Sequence, residues 1–335
     1  MNKLKLSILD QSIVRKGGTA AQAIKETIDT ARLAEELGYN RFWVSEHHNS
    51  TMIAGSAPEV LMARLANETS RIRIGSGGIM LPNHSAYKVA ENFRLLENMY
   101  PGRIDLGMGR APGGDRISAT LLNPLNNFSE ADYIKQLQHL KAFFNDEAGT
   151  QYGPVIAAPQ INTAPQQWIL CSSGGSASIA AKAGLGLVIA KFINGFASAD
   201  IIDTYRQDFI PSTFFREPKV MVAISVQCAA TEEKVAELRK LNDYVLLQFE
   251  KGNFTPLYSY DDIKDYDFTA DELARINYNS GRIISGTPQS VKAQLLKLSA
   301  EFDTDEIIIS SMTANPKDRM ECFTLLSEAF SLNTL

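Results

Sequence analysis

The chain has 335 residues, 44% hydrophobic and 21% charged, with a formal net charge of -5. Such a composition builds a sizeable globular core, and the length suits one large α/β barrel or two ordinary domains. The acidic balance gives no reason to expect nucleic acid or an anionic membrane surface as partner. Three widely spaced cysteines (Cys171, Cys228, Cys322) lack metal-ligand spacing and read as free thiols in a reducing cytoplasm. The first ten residues meet charge too soon for a signal peptide, and Ala177 to Ala190, the most apolar later stretch, is broken by Lys182 and several glycines. That stretch is also too short to span a bilayer. Cytoplasmic localisation is the expectation.

In chain order, short apolar runs alternate with longer amphipathic segments. The predicted strands are Leu4–Leu9, Arg41–Ser45, Ile72–Ser76, Ile104–Met108, Gln167–Cys171, Leu187–Ala190, Val220–Val226 and Glu306–Ser310. After the first strand, Ala23, Ile28, Ala31, Ala34 and Leu37 recur at helical spacing over Ala20–Leu37. Ser56-Ala57-Pro58-Glu59 predicts a capping-box start for the next helix, and Thr287-Pro288 predicts a cap followed by proline at the first helical position. Asp146–Gln166 reads as a turn-rich excursion after the fourth strand. Gly252–Tyr278, with Phe254, Tyr258, Tyr260, Tyr266 and Phe268, reads either as a lid after the seventh strand or as an insertion packed by its own aromatics. Eight βα units without a linker predict one domain over residues 1–335, a single (β/α)8 TIM-type barrel with insertions after strands 4 and 7. A doubly wound open sheet is the competing fold.

In a parallel barrel the segments after each strand converge on one face, where such folds do their chemistry. After the first strand comes Asp10, and after the second Glu46-His47-His48, which holds two of the chain's four histidines. Imidazole is easily tuned for proton transfer near neutral pH. Successive strand side chains diverge, so adjacent histidines make a poor metal pair, and acid/base work is the preferred reading. Gly77-Gly78 after the third strand reads, from spacing alone, as a bulge or tight turn. Ser172-Ser173-Gly174-Gly175-Ser176 opens a helix and has the makings of a phosphate cradle, or merely of a helix cap. Arg110, at the neighbouring strand end, favours the cradle if its guanidinium pairs with the same anion; its bland reading is a surface salt bridge.

Glu46-His47-His48, the run Gly75 to Pro82 and the run Tyr100 to Arg110 together resemble the bacterial luciferase-like flavin-dependent monooxygenases, most closely their small single-chain members. The resemblance is densest from Leu6 to Asp115 and continues through Ser172–Ser176 and Gly286-Thr287-Pro288. It implies a TIM-type barrel that uses reduced FMN and O2 to oxygenate a small organic substrate through a C4a-peroxyflavin. Under it, His47 matches the catalytic histidine; Asp10 is read as a substrate-side group from its place at a neighbouring strand end. Gly77-Gly78 matches a non-prolyl cis dipeptide against the flavin ring. Arg110 and the segment of Ser172, Ser173, Gly174 and Ser176 match the phosphate-binding groups. Gly109 stands where the light-emitting catalytic subunit carries a reactive cysteine, which points away from light emission and long-chain aldehydes.

No Gly-x-Gly-x-x-Gly fingerprint occurs, so a separate NAD(P)H:FMN reductase is the expected partner. The family also suggests a homodimer, through the faces of Ala57–Leu65 and Ala90–Tyr100. Two rival readings stand beside this one: hydride transfer with the deazaflavin F420, and a flavin-binding protein without catalysis.

Overall fold

In the computed structural model, which describes residues 3–253 and 258–333, eight parallel strands close into a barrel with helices around it. They are β1 (Lys5–Asp10), β2 (Arg41–Val44), β3 (Arg73–Met80), β4 (Ile104–Gly109), β5 (Gln166–Cys171), β6 (Gly186–Ala190), β7 (Val220–Cys228) and β8 (Glu306–Ser310). Each pairs with the next, β8 pairs with β1, and the registers Leu187↔Val220 and Ala190↔Ala223 join β6 to β7. All eight predicted strands are present, and the open sheet is excluded by the closure.

The two-residue period of the strands sorts the apolar side chains into two cores. Leu6, Ile8, Phe42, Ile74, Leu106, Ile307 and Ile309 face outward and pack under the helices. Leu9, Trp43, Trp168, Val188, Ala223 and Ile308 form a second cluster inside the barrel. Charge fills the barrel's lower end. Buried Arg41 donates to Asp105 and Glu306 at 2.8 Å each, Arg73 Nη2 reaches Asp105 at 2.6 Å, and Ser7 donates to Glu306. The Arg41 guanidinium also lies 5.0 Å from the centre of the Trp168 ring. With that end plugged, the interior opens at the carboxyl ends of the strands.

A ninth parallel strand, Ile283–Gly286, pairs with the end of β7 from Ser225 to Cys228 while β8 pairs with Val222 to Ser225. Its Ile-Ile-Ser-Gly run is too short to register as a strand by periodicity. Between β4 and β5 lie helices Arg116–Leu122 and Glu130–Phe144 and a small antiparallel hairpin, Gly149–Thr150 with Gly153–Pro154. Between β7 and β8 the chain runs through helices Glu232–Glu250, Tyr260–Ile263, Ala270–Asn279 and Pro288–Glu301. There Tyr258 and Tyr266 pack on Tyr244, with ring centres 5.1 and 5.0 Å apart, beside Leu241 and Ile263. Phe254 lies outside the described residues.

Helix Ala20–Glu36 starts with a full capping box from Thr19 and Gln22. The box expected at Ser56 is absent: Ala57 is the cap of helix Pro58–Glu68 and Pro58 occupies its first turn, where a missing N–H costs nothing. Thr287 does precede helix Pro288–Glu301, yet its side chain makes no capping bond. Among the described residues no helix is long and apolar enough to cross a membrane.

Candidate active site

A cavity of about 370 Å³ occupies the open end of the barrel. Its floor is the inner core: Leu9, Trp43, Val188, Ala223 and Ile308, with Leu170 beside them. Its rim is supplied by the middle of β3 and by the segments that follow β2, β4 and β5, which bring Gly77, His47, Arg110, Ser172, Ser173 and Ser176 together. Residues as distant in sequence as His47 and Ser176 thus share one pocket because parallel strands all end on the same side.

β2 sets the direction of the histidines. Arg41, Trp43, Ser45 and His47 form the inward series, and Glu46 points the opposite way. His47 is half-buried; its Nδ1 lies 3.1 Å from Ser45 Oγ and its backbone N–H donates to Gly55 O at 2.9 Å. Burial lowers the imidazole pKa, against the opposing pull of the Glu46 charge. His47 is therefore held neutral at physiological pH, ready to accept a proton from a group in the cavity.

Glu46, for which the sequence offered no role of its own, clamps the rim from outside. It is fully buried, with Oε1 2.7 Å from His48 Nε2 and 2.9 Å from His84 Nε2, and Oε2 accepting from the Met80 N–H at 2.8 Å. Burial by itself would raise its pKa, but the bonds from His84, His48 and Met80 hold it below the ordinary carboxylate value. For His84 burial works the other way and is outweighed by Glu46, so that pKa is raised. The clamp ties the loop after β2 to the end of β3. Its one sequence signal was a glutamate on the outward parity next to two histidines.

The Gly77–Gly78 peptide is cis, as the resemblance implies, and the β3–β4 register also slips there, from Gly77↔Gly107 to Ile79↔Met108. The bulge and the cis bond coexist. A Cβ on Gly77 would come within 2.7 Å of Leu9 Cδ1 and 3.2 Å of the Trp43 ring. Gly78 lies behind the cavity wall, where a Cβ would collide with Leu170 Cδ1 and lie 2.7 Å from the Gly107 carbonyl oxygen.

At the other end, Ser172, Ser173 and Ser176 border the cavity where helix Gly175–Ala183 begins. Gly174 is the cap of that helix and is exposed, outside the cavity lining. Arg110 faces the same end and pairs with Glu130 Oε2 at 2.6 Å. The salt-bridge reading of this arginine is thus realised, on a side chain that also borders the cavity. Cys171 lies alongside, its thiol donating to the Ser173 carbonyl and its pKa pushed up by burial.

Asp10 requires a correction. On β1 it shares the outward parity of Leu6 and Ile8, so it lies fully buried between barrel and helices and not in the cavity. It accepts from Ser12 N–H at 2.6 Å and Thr27 Oγ1 at 3.0 Å, and it pairs with Arg319. Its neighbour Gln11 lines the cavity in its place. Among the described residues no cluster of three or more His, Cys, Asp or Glu is placed to hold a metal ion.

Comparison with known proteins agrees with this geometry. The sequence profile of the luciferase-like monooxygenases matches residues 4–304. An uncharacterised protein of Bacillus subtilis (strain 168), YwcH, is 45% identical over 98% of this chain and 99% of its own length. The N-acetyl-S-alkylcysteine monooxygenase of the same organism is 36% identical, covering 97% of this chain and 98% of itself. The crystal structure of apo-MsnO8 superposes with a TM-score of 0.92 at 35% identity, covering 98% of this chain and 99% of that one. With its closed barrel and its cavity at the strands' carboxyl ends, the chain belongs to the luciferase-like monooxygenase family, oxidoreductases that act with O2.

Proposed function

We propose that the cavity binds reduced FMN and that the chain is the oxygenase of a two-component system, taking its reduced flavin from a separate NAD(P)H:FMN reductase. The carrying observation is the polarity of the cavity: a hydroxyl-lined helix start and one arginine at one end, apolar walls and a side-chain-free Gly77 at the other. That polarity fits the group. Unpaired N–H groups and the positive dipole of helix Gly175–Ala183, with the hydroxyls of Ser173 and Ser176 and the Arg110 guanidinium, suit a phosphate. The flat wall at Gly77, where a Cβ would strike Leu9 and Trp43, suits an aromatic ring system.

Reduced FMN, when bound, supplies the electrons that activate O2. The chain's own residues do the rest. Trp43, Leu170, Val188 and Ile308 exclude water from the reacting region. His47, neutral and anchored through Nδ1 by Ser45, takes up or returns a proton at Nε2 as the small organic substrate is oxygenated. N-acetyl-S-alkylcysteines are the first compounds to screen, given the activity named for the relative at 36% identity. We also place a homodimer contact on helices Pro58–Glu68 and Ala86–Met99, where Val60, Leu95 and Met99 remain 70, 50 and 46% exposed.

An anaerobic titration with reduced FMN, followed by rapid mixing with oxygenated buffer, tests the reading. The expected result is saturable binding and a return of oxidised-FMN absorbance slower than for free reduced FMN, with substrate altering that rate. Binding of F420 in place of FMN, with turnover indifferent to oxygen, would replace this reading by hydride transfer.

A further inference from the structure

Arg110 is the one arginine or lysine that borders the cavity, and no aspartate or glutamate lines it among the described residues. Yet the guanidinium is already engaged: Nη1 donates to Glu130 Oε2 at 2.6 Å, outside the cavity lining, with the two side chains 39 and 59% exposed. Glu130 is the first residue of helix Glu130–Phe144, whose Ser129 caps the Asp132 N–H. A carboxylate in a first helical turn is stabilised by the unpaired N–H groups and the dipole there.

We infer that Glu130 is the resident counterion that Arg110 exchanges for the flavin phosphate, and that it thereby sets how tightly the chain holds FMN. The inference rests on the FMN reading above. A phosphate held by Ser173, Ser176 and the start of helix Gly175–Ala183 would meet the guanidinium from within the cavity, whose lining includes Arg110 and not Glu130. Arg110 then either leaves Glu130 or shares itself between two anions. Both routes lower the phosphate's affinity, and neither touches a flavin without phosphate. Exposed ion pairs are weak, so the phosphate prevails, against a modest penalty. The substitution Glu130→Gln keeps the shape of the side chain and removes the charge that competes.

The experiment is a set of anaerobic titrations of the full chain with reduced FMN and with reduced riboflavin, followed by quenching of tryptophan fluorescence, since Trp43 lines the cavity. Wild type, Glu130→Gln, Arg110→Ala and the double variant are compared, with melting curves to confirm that each is folded. Glu130→Gln should tighten FMN binding by about three- to fivefold, the size expected for one exposed ion pair. Riboflavin binding should stay unchanged, the gain should disappear in the Arg110→Ala background, and it should shrink as salt is raised to about 0.5 M. Unchanged or weaker FMN binding by Glu130→Gln would overturn the inference, and so would an equal gain for riboflavin. A wild type that binds neither flavin removes the FMN reading itself, a result distinct from the others.

Discussion

The indole Nε1 of Trp43 donates to Oδ2 of Asp105 across 2.9 Å, and this bond joins the floor of the cavity to the ion network beneath it. The indole fits because Gly75, Gly77 and Gly107 leave room on the facing strands: a Cβ on any of them would come within 3.4 Å of its ring. Asp105, fully buried, also receives Arg41 and Arg73.

Asp105→Ala should therefore destabilise the fold by about 3–5 kcal/mol, because the buried Arg41 and the half-buried Arg73 lose a shared counterion. Urea denaturation measures the loss, and a near-wild-type midpoint would count against the network. Burial alone would raise the Asp105 pKa, but the charges of Arg41 and Arg73 outweigh it and hold it below the ordinary value. The sign follows. Its contribution is complete above about pH 4, the value in an unfolded chain, and is lost as pH falls through the lower folded value. Asp105→Ala should flatten that part of the acid-denaturation curve.

His47→Ala should leave reduced-FMN binding intact and cut turnover by about 10²- to 10⁴-fold, the range for general acid/base groups. Burial keeps the imidazole pKa down, so the neutral form holds through the physiological range. In the wild type, kcat/KM should stay level above neutrality and decline only as pH falls through the lowered imidazole pKa, below the ordinary histidine range. A variant with unchanged turnover would take His47 out of the chemistry.

The two glycines of the β3 bulge should respond differently to alanine. A Cβ at position 77 meets the mobile end of Leu9, whereas at position 78 it meets backbone at Gly107 that cannot withdraw. Gly78→Ala is expected to cost about 3 kcal/mol, at the top of the overpacking range, and Gly77→Ala about 1 kcal/mol. The order should reverse for flavin affinity, since Gly77 lines the cavity and Gly78 does not. Melting temperatures and FMN titrations of the pair check both halves.

Asp10→Ala separates a structural role from a catalytic one. Arg319 would remain buried with Glu26 as its other partner, so a loss of about 3 kcal/mol is expected. Reduced-FMN affinity should not change, nor should turnover measured well below the lowered melting point. A selective loss of turnover would return Asp10 to the site.

Much of this protein was legible in its sequence because the signals are local. Strand and helix periodicity, and the convergence of strand ends that parallel topology enforces, fixed the barrel from segments a few residues long. The two-residue period of a strand turns His47 and His48 to opposite faces, and the resemblance implies the cis bond found at Gly77–Gly78. On β1 the same period turns Asp10 outward, although it sits at a strand end beside the cavity. What remained hidden depends on side chains far apart in the chain. Glu46 meets His84, Trp43 meets Asp105, Arg110 meets Glu130, and Asp10 meets Arg319 across a separation of 309 residues. Ile283–Gly286 is a strand because β7 offers it an edge, not because of its own four residues. Local pattern decides which elements form and which way each side chain points; only closure of the barrel decides which charges find each other, because that pairing is set by the distance between elements and not by anything within one.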